Sequence, residues 1–127
     1  MDERKTHTRY PAIPLSARRL DAYRVGIELL AYMRPRVERI ARRDRALARQ
    51  LERSLPSMVN NLAEGMRRTG GDRPHHLTIA LGSADEARAS IDAAVANGYV
   101  EAWEAEHADG LADRFAAMVY RLRQRFV

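Results

Sequence analysis

The sequence predicts an all-α protein, an antiparallel up-down-up-down four-helix bundle. Three observations predict it. Apolar residues recur at intervals of three and four along four separate stretches, the period of an amphipathic helix. The Pro and Gly punctuation between these stretches is short, so that successive helices double back on one another. No stretch alternates apolar and polar residues as a half-buried strand would, and there is no internal repeat. A chain of 127 residues fits one domain. At that length roughly two thirds of the unfolded surface can be buried, enough for one core without staples.

Residues 1–15 carry Pro11 and Pro14, few apolar groups and no period, and read as a flexible arm. The bundle domain is expected over 16–127. Ser16 is a plausible N-cap for the first helix. Leu20, Tyr23, Ile27 and Leu30, then Val37 and Ala41, step by three, four or seven, and Val25, Leu29 and Tyr32 widen the apolar face. Pro35 removes the donor to the Ala31 carbonyl and should kink or split this helix.

The second helix begins near Asp44, a possible N-cap, and carries the stripe Leu47, Leu51, Leu55, Met58, Leu62 and Met66. A polar stripe of Gln50, Ser54, Ser57 and Asn61 runs beside it. That stripe is either a solvated edge or a seam that hydrogen-bonds to a neighbouring helix. Pro56 predicts a bend. Thr69-Gly70-Gly71 supplies the glycines of a C-cap and loop.

Asp72-Arg73-Pro74 reads as an N-cap followed by Pro in the first turn. The third helix carries Leu77, Leu81, Ala84, Ile91 and Val95, with small residues Ala80, Ala87, Ala94 and Gly98 alongside. Gly82 costs about 1 kcal/mol relative to Ala in a helix interior, and its expected role is to let a neighbouring backbone approach. Ser83-Ala84-Asp85-Glu86 could instead be a capping box that starts a new helix. The unshifted apolar period favours one continuous helix, closed by Asn97-Gly98. The last helix starts between Trp103 and Asp109 and carries Leu111, Phe115, Met118, Leu122 and Phe126.

The composition excludes several classes. With no Cys, disulfides and thiolate chemistry are ruled out. No apolar run approaches the roughly 20 residues that span a bilayer. Met1 to Arg9 lacks the apolar core of a secretory signal, so a cytoplasmic location is the expectation. The 22 basic and 17 acidic residues give a net charge of +5, and every basic residue but Lys5 is Arg. The Arg excess fits either codon bias, which the abundant Ala also suggests, or selection for phosphate and carboxylate forks. The charge is uneven: residues 1–68 hold 16 basic and 8 acidic side chains, and residues 69–127 hold 6 and 9.

Gln50-Leu51-Glu52-Arg53, Ser57, Asn61-Leu62-Ala63-Glu64-Gly65, Ile79-Ala80-Leu81-Gly82-Ser83, Glu86 and Asn97-Gly98-Tyr99-Val100 together resemble the four-helix bundle family named after large-subunit rRNA intervening sequences. The resemblance runs from about Leu20 to Val100, with a weaker helix beyond. It implies an antiparallel bundle that assembles as a ring-like homopentamer, with Asn61, Glu64, Gly65, Gly82, Ser83 and Glu86 as motif residues. It also implies kinship with the accessory proteins of diversity-generating retroelements, basic pentamers that bind a reverse transcriptase and nucleic acid. Val59 stands where the family often carries Pro, so the bend at Pro56 sits a turn earlier.

Chemistry is sparse. His75 and His76 are adjacent and point about 100° apart on a helix. Asp72 and His76 have i,i+4 spacing but no third ligand nearby, so no metal or other cofactor is expected. Glu64 and Glu86 could flank a substrate as acid and base, yet no nucleophile or phosphate-cradling motif accompanies them, and a non-enzymatic protein is expected.

Two basic groups could meet phosphate. Arg67, Arg68 and Arg73, with Gly70 and Gly71, surround a helix N-terminus, a reasonable anion site. Arg36, Arg39 and Arg43 share one helix face with no acid at four-residue spacing among them, whereas Glu38 is set to pair with Arg42. Seven of the eight aromatics fall on or beside the apolar pattern, so any nucleic-acid binding should be directed at the backbone. The expected function is a homo-oligomeric adaptor for RNA or DNA, with a reverse transcriptase as one possible protein partner. The alternative is a protein–protein scaffold with no nucleic-acid role.

Overall fold

The computed structural model describes residues 21–68 and 70–126. The N-terminal arm, Ser16 and Leu20 lie outside the described residues, as does Thr69. Four helices account for nearly all of the described chain: α1 (Asp21–Ala41), α2 (Arg45–Arg67), α3 (Asp72–Ala96) and α4 (Ala102–Gln124). They form a four-helix bundle with no strand among the described residues. Each helix packs on two others, α2 on α1 and α3, and α4 on α3 and α1, so α1 and α4 close the circuit. No helix is long and apolar enough to cross a membrane among the described residues.

The core follows the predicted period with one shift. On α2, Leu47, Leu51, Leu55, Met58 and Leu62 are buried as expected. On α1 the buried line is Ala22, Val25, Gly26, Leu29, Met33, Val37 and Ile40. Ile27, placed in the stripe by its spacing, is exposed, and Tyr23 and Leu30 are half-buried. Both lines fit a helical period. The one containing Gly26 wins because that glycine lets α1 close on its neighbours: a Cβ there would lie 2.5 Å from Val59 Cγ1 and 3.1 Å from Phe115 Cε2. On α4, Leu111, Phe115 and Leu122 are buried as expected, joined by Ala108, Ala112 and Val119.

α1 runs through Pro35 and α2 through Pro56 without interruption. Asp44 caps α2 as predicted, its carboxylate accepting from Leu47 N–H at 3.0 Å. Asp72 does not cap α3: it is the first helical residue, Gly71 holds the cap position, and no side chain caps the helix there. Gly70 and Gly98 adopt positive φ, 61° and 76°, where a side chain would be strained. α4 starts at Ala102, just before the predicted window. Glu101 and Glu104 form a reciprocal capping box that fixes the boundary.

α3 is one continuous helix, as its period indicates. Its Ala80, Ala84, Ala87 and Ala94 are fully buried, so the small stripe is where α3 meets its neighbours inside the bundle. Gly82 is not part of that contact. It is exposed, and a Cβ there would meet nothing within 4 Å. One hundred degrees per residue places position 82 about 160° from the buried stripe at Ala80, which corrects the role expected for this glycine. Close approach occurs instead at Gly26 and at Gly65, where a Cβ would lie 3.1 Å from Leu77 Cδ2.

Candidate nucleic-acid interface

The polar stripe on α2 is a seam with α3. Ser57 and Ser83 hydroxyls lie 2.7 Å apart, and Ser90 donates to Gln50 Oε1 at 3.4 Å. Asn61 donates from Nδ2 to the Ser57 carbonyl at 3.0 Å, which turns its Oδ1 toward His76 Nδ1, 3.2 Å away. Since Oδ1 can only accept, Nδ1 of His76 is the donor in this pair. Tyr23, Asn60, Asn61, Glu64, Arg67 and His76 line a surface pocket of about 440 Å³ beside this seam. Glu86 lines a different pocket, with Gln50 and Arg53. The two carboxylates weighed as an acid–base pair therefore do not share a site.

The cations expected around the start of α3 are already engaged. Arg73 donates from Nε to the Gly65 carbonyl at 3.1 Å and from a terminal nitrogen to the Met66 carbonyl at 3.4 Å. It thus adds a bond to the carbonyls at the end of α2, where Gly65 already accepts from the Arg68 N–H, and its guanidinium carbon sits 4.3 Å from the Phe126 ring centroid. Arg68 and Arg67 flank Glu64 at 3.0 and 3.6 Å. The Arg68 hydrogen bond, with the charges of Arg68, Arg67 and His76, outweighs the opposing effect of burial and holds Glu64 below the usual carboxylate range. The three cations of that site are consequently engaged within the fold, Arg67 and Arg68 by Glu64 and Arg73 by carbonyls of α2, although one carboxylate offsets only part of their charge.

Two members of the row on α1, Arg36 and Arg39, are paired with an acid remote in sequence. Glu104 of α4 is buried, with its carboxylate 2.7 Å from an Arg39 terminal nitrogen at both oxygens. Arg36 Nε lies 2.8 Å from Glu104 Oε2, close enough to pair but too poorly angled for a hydrogen bond. Burial is the largest influence on Glu104 and pushes its pKa up. Hydrogen bonds from Arg39 and the Glu101 N–H, with the charges of both arginines, more than reverse this, and the carboxyl titrates below its ordinary range. Arg36 and Arg39 are therefore not the uncompensated cations their helix suggests. Arg43, the third of the row, has its guanidinium carbon 5.2 Å from the Tyr99 ring centroid. Glu38 pairs with Arg34 at 3.5 Å, not with Arg42.

What this leaves is a basic corner that the spacing of Arg36, Arg39 and Arg43 only touched. Arg42, Arg43, Arg45, Arg49 and Arg53 are all exposed and form no ion pair among the described residues. The acids within this stretch are Asp44 and Glu52. Asp44 is occupied by the Leu47 N–H and by the Tyr99 hydroxyl at 3.2 Å. Arg45, Arg49 and Arg53 step by four along α2 and share one outward stripe. The signal was present in the sequence: no acid stands four residues from any of them. Trp103, at the start of α4, is 63% exposed.

No cluster of three or more metal-binding side chains exists among the described residues. Chemically, the corner can neutralise anions. A family model described as 23S rRNA-intervening sequence protein matches residues 18–121. That span extends the resemblance past Val100 and through most of α4. No curated protein matches the chain.

Proposed function

The chain belongs to the 23S rRNA-intervening sequence protein family, and from that premise we propose that it is a non-enzymatic helical-bundle adaptor that binds the phosphate backbone of RNA or DNA. The observation that carries this reading is the corner of Arg42, Arg43, Arg45, Arg49 and Arg53, exposed and without ion pairs among the described residues. Guanidinium groups at such density favour phosphates, and contacts of this kind position a protein without reading sequence. The family's description, which couples it to rRNA, agrees with that chemistry. In this reading the helices run antiparallel, up-down-up-down, and copies assemble as a ring-like homopentamer that repeats the basic corner around its axis. A reverse transcriptase is the protein partner that kinship with retroelement accessory proteins suggests.

The test is a salt titration of binding to RNA and DNA of unrelated sequence. Affinity should fall linearly on a log–log plot, with a slope of about 0.7–0.9 per phosphate neutralised. Arg45→Glu, Arg49→Glu and Arg53→Glu combined should weaken all sequences alike and flatten that slope. Arg114→Glu with Arg121→Glu should do less, because Asp21, Glu28 and Asp113 line the same groove as those two arginines. Circular dichroism and size exclusion confirm that each variant stays folded. A triple variant that binds like the parent reduces the corner to a solvated face. A parent that binds neither RNA nor DNA at low salt replaces this reading with a protein–protein scaffold. The feature favouring a scaffold is an apolar groove of about 490 Å³ lined by Leu30, Val37, Leu51, Leu55 and Pro56.

A further inference from the structure

We propose that Trp103 is a stacking platform for an unpaired nucleobase, which makes single-stranded nucleic acid the preferred ligand of the basic corner. The proposal rests on the nucleic-acid reading above and specifies its ligand. Planar groups meet in succession at the junction of α1 and α4. The His107 and Tyr32 rings lie with centroids 4.3 Å apart. The Arg36 guanidinium carbon sits 3.7 Å from the Tyr32 centroid and 5.9 Å from the Trp103 centroid. Arg36 is held there by Glu104 at 2.8 Å and by its donation to the Tyr32 carbonyl at 2.7 Å. The run, whose first two rings are tilted by 46°, ends in an indole that is 63% exposed and has surface free to take a planar group.

The charge around the indole fits a nucleotide. Glu104 is neutralised by Arg36 and Arg39, and the Arg39 side chain remains 44% exposed. Arg42 and Arg43 continue the basic surface. Arg43 leans on Tyr99, which lies four residues before Trp103 in the chain. A base stacked on Trp103 would thus leave its phosphates within the field of the arginine corner. Glu101 and Glu106, both exposed, are the carboxylates on the indole's own segment and oppose that attraction locally. A protein partner fits less well. Glu101, Ala102, Glu106 and His107, the exposed residues flanking Trp103 in the chain, form no contiguous apolar patch of the kind an interface core buries. Duplex bases are stacked on one another and cannot reach the indole, whereas every unpaired base offers a π face.

Trp103 is the one tryptophan of the chain, so its fluorescence reports this site alone. An oligouridylate and an RNA duplex of equal length are the probes, with affinity also measured by anisotropy. The oligouridylate should quench the fluorescence and the duplex should not. Trp103→Ala should weaken oligouridylate binding by about 5- to 150-fold, the value of one base–aromatic stack, and leave duplex binding unchanged. Trp103→Phe should fall between. If the parent binds the oligouridylate and Trp103→Ala binds it equally well, the platform is overturned while the arginine corner stands. If Trp103→Ala instead loses a co-purifying protein with both nucleic-acid affinities unchanged, the indole belongs to a protein surface and the proposal fails. A parent that binds neither probe removes the nucleic-acid reading and the platform together.

Discussion

Glu104 is only 4% exposed, and it turns two arginines from solvent-facing cations into parts of the α1–α4 junction. Nothing local in the sequence announces this, because the acid stands 65 residues from Arg39. Spacing along one helix detects partners at three and four residues and is blind to those brought by another element. Removing the buried carboxylate leaves two guanidinium groups around a neutral amide. A fully buried broken pair costs roughly 3–5 kcal/mol; Arg39 keeps its water, so Glu104→Gln should destabilise by about 1–3 kcal/mol. The pH dependence has a definite sign. The folded pKa lies below the ordinary 4.5, so the unfolded chain takes up the proton first. The contribution is complete above about pH 4.5 and is lost as pH falls through the folded value. Melting temperatures of the parent and Glu104→Gln should therefore converge as pH is lowered from neutrality. A gap that stays constant would mean that Glu104 contributes by shape alone.

Within the elements, periodicity located all four helices, but it could not choose between two overlapping stripes on α1. The choice depended on a glycine. Gly26 and Gly82 look alike in sequence, each a glycine inside a helical pattern, and they are opposite in the structure. Gly26 is buried where Val59 and Phe115 crowd it, while Gly82 faces open space. A methyl group at Gly26 must displace a β-branched valine with little rotamer freedom. Gly26→Ala should therefore lose more to overpacking than it gains in helix propensity, a net cost of about 1–2 kcal/mol. Gly82→Ala should stabilise by about 0.5–1 kcal/mol, because only the propensity term applies. Chemical denaturation of both variants measures the pair, and equal shifts would contradict the packing described here. The polar seam on α2 was legible as one of two readings, since Ser, Asn and Gln at helical spacing suit either water or a facing helix. Ser83 and His76 on α3 decide it by bonding to that stripe. The cap of α4 was not legible, because Glu101 is an unusual N-cap residue that works here only through its exchange with Glu104.

For the whole molecule, most of the small and polar stripes of α2 and α3 is satisfied within the bundle, Ser54 Oγ being buried without a hydrogen-bond partner, so the stripes give little reason for a second chain. The large apolar side chains exposed among the described residues are Ile27, Ile79, Trp103 and Tyr120, in addition to the groove at Leu30 and Leu55. The proposed homo-oligomer would have to bury surface of this kind, against the self-repulsion of chains that each carry +5. That opposition gives assembly and nucleic-acid binding different responses to salt. Screening weakens repulsion between copies while leaving apolar contacts intact. The same salt weakens phosphate contacts steeply through counterion uptake. Light scattering after size exclusion, on nucleic-acid-free protein, should give a mass several times the 14.4 kDa of one chain, five times if the ring is a pentamer. Raising salt should hold or increase that mass over the range in which RNA is released. A mass equal to one chain at micromolar concentration would defeat the assembly proposal. Dissociation in step with RNA release would show that nucleic acid, not protein contact, holds the copies together, and the ring would then have to be abandoned while the basic corner stood.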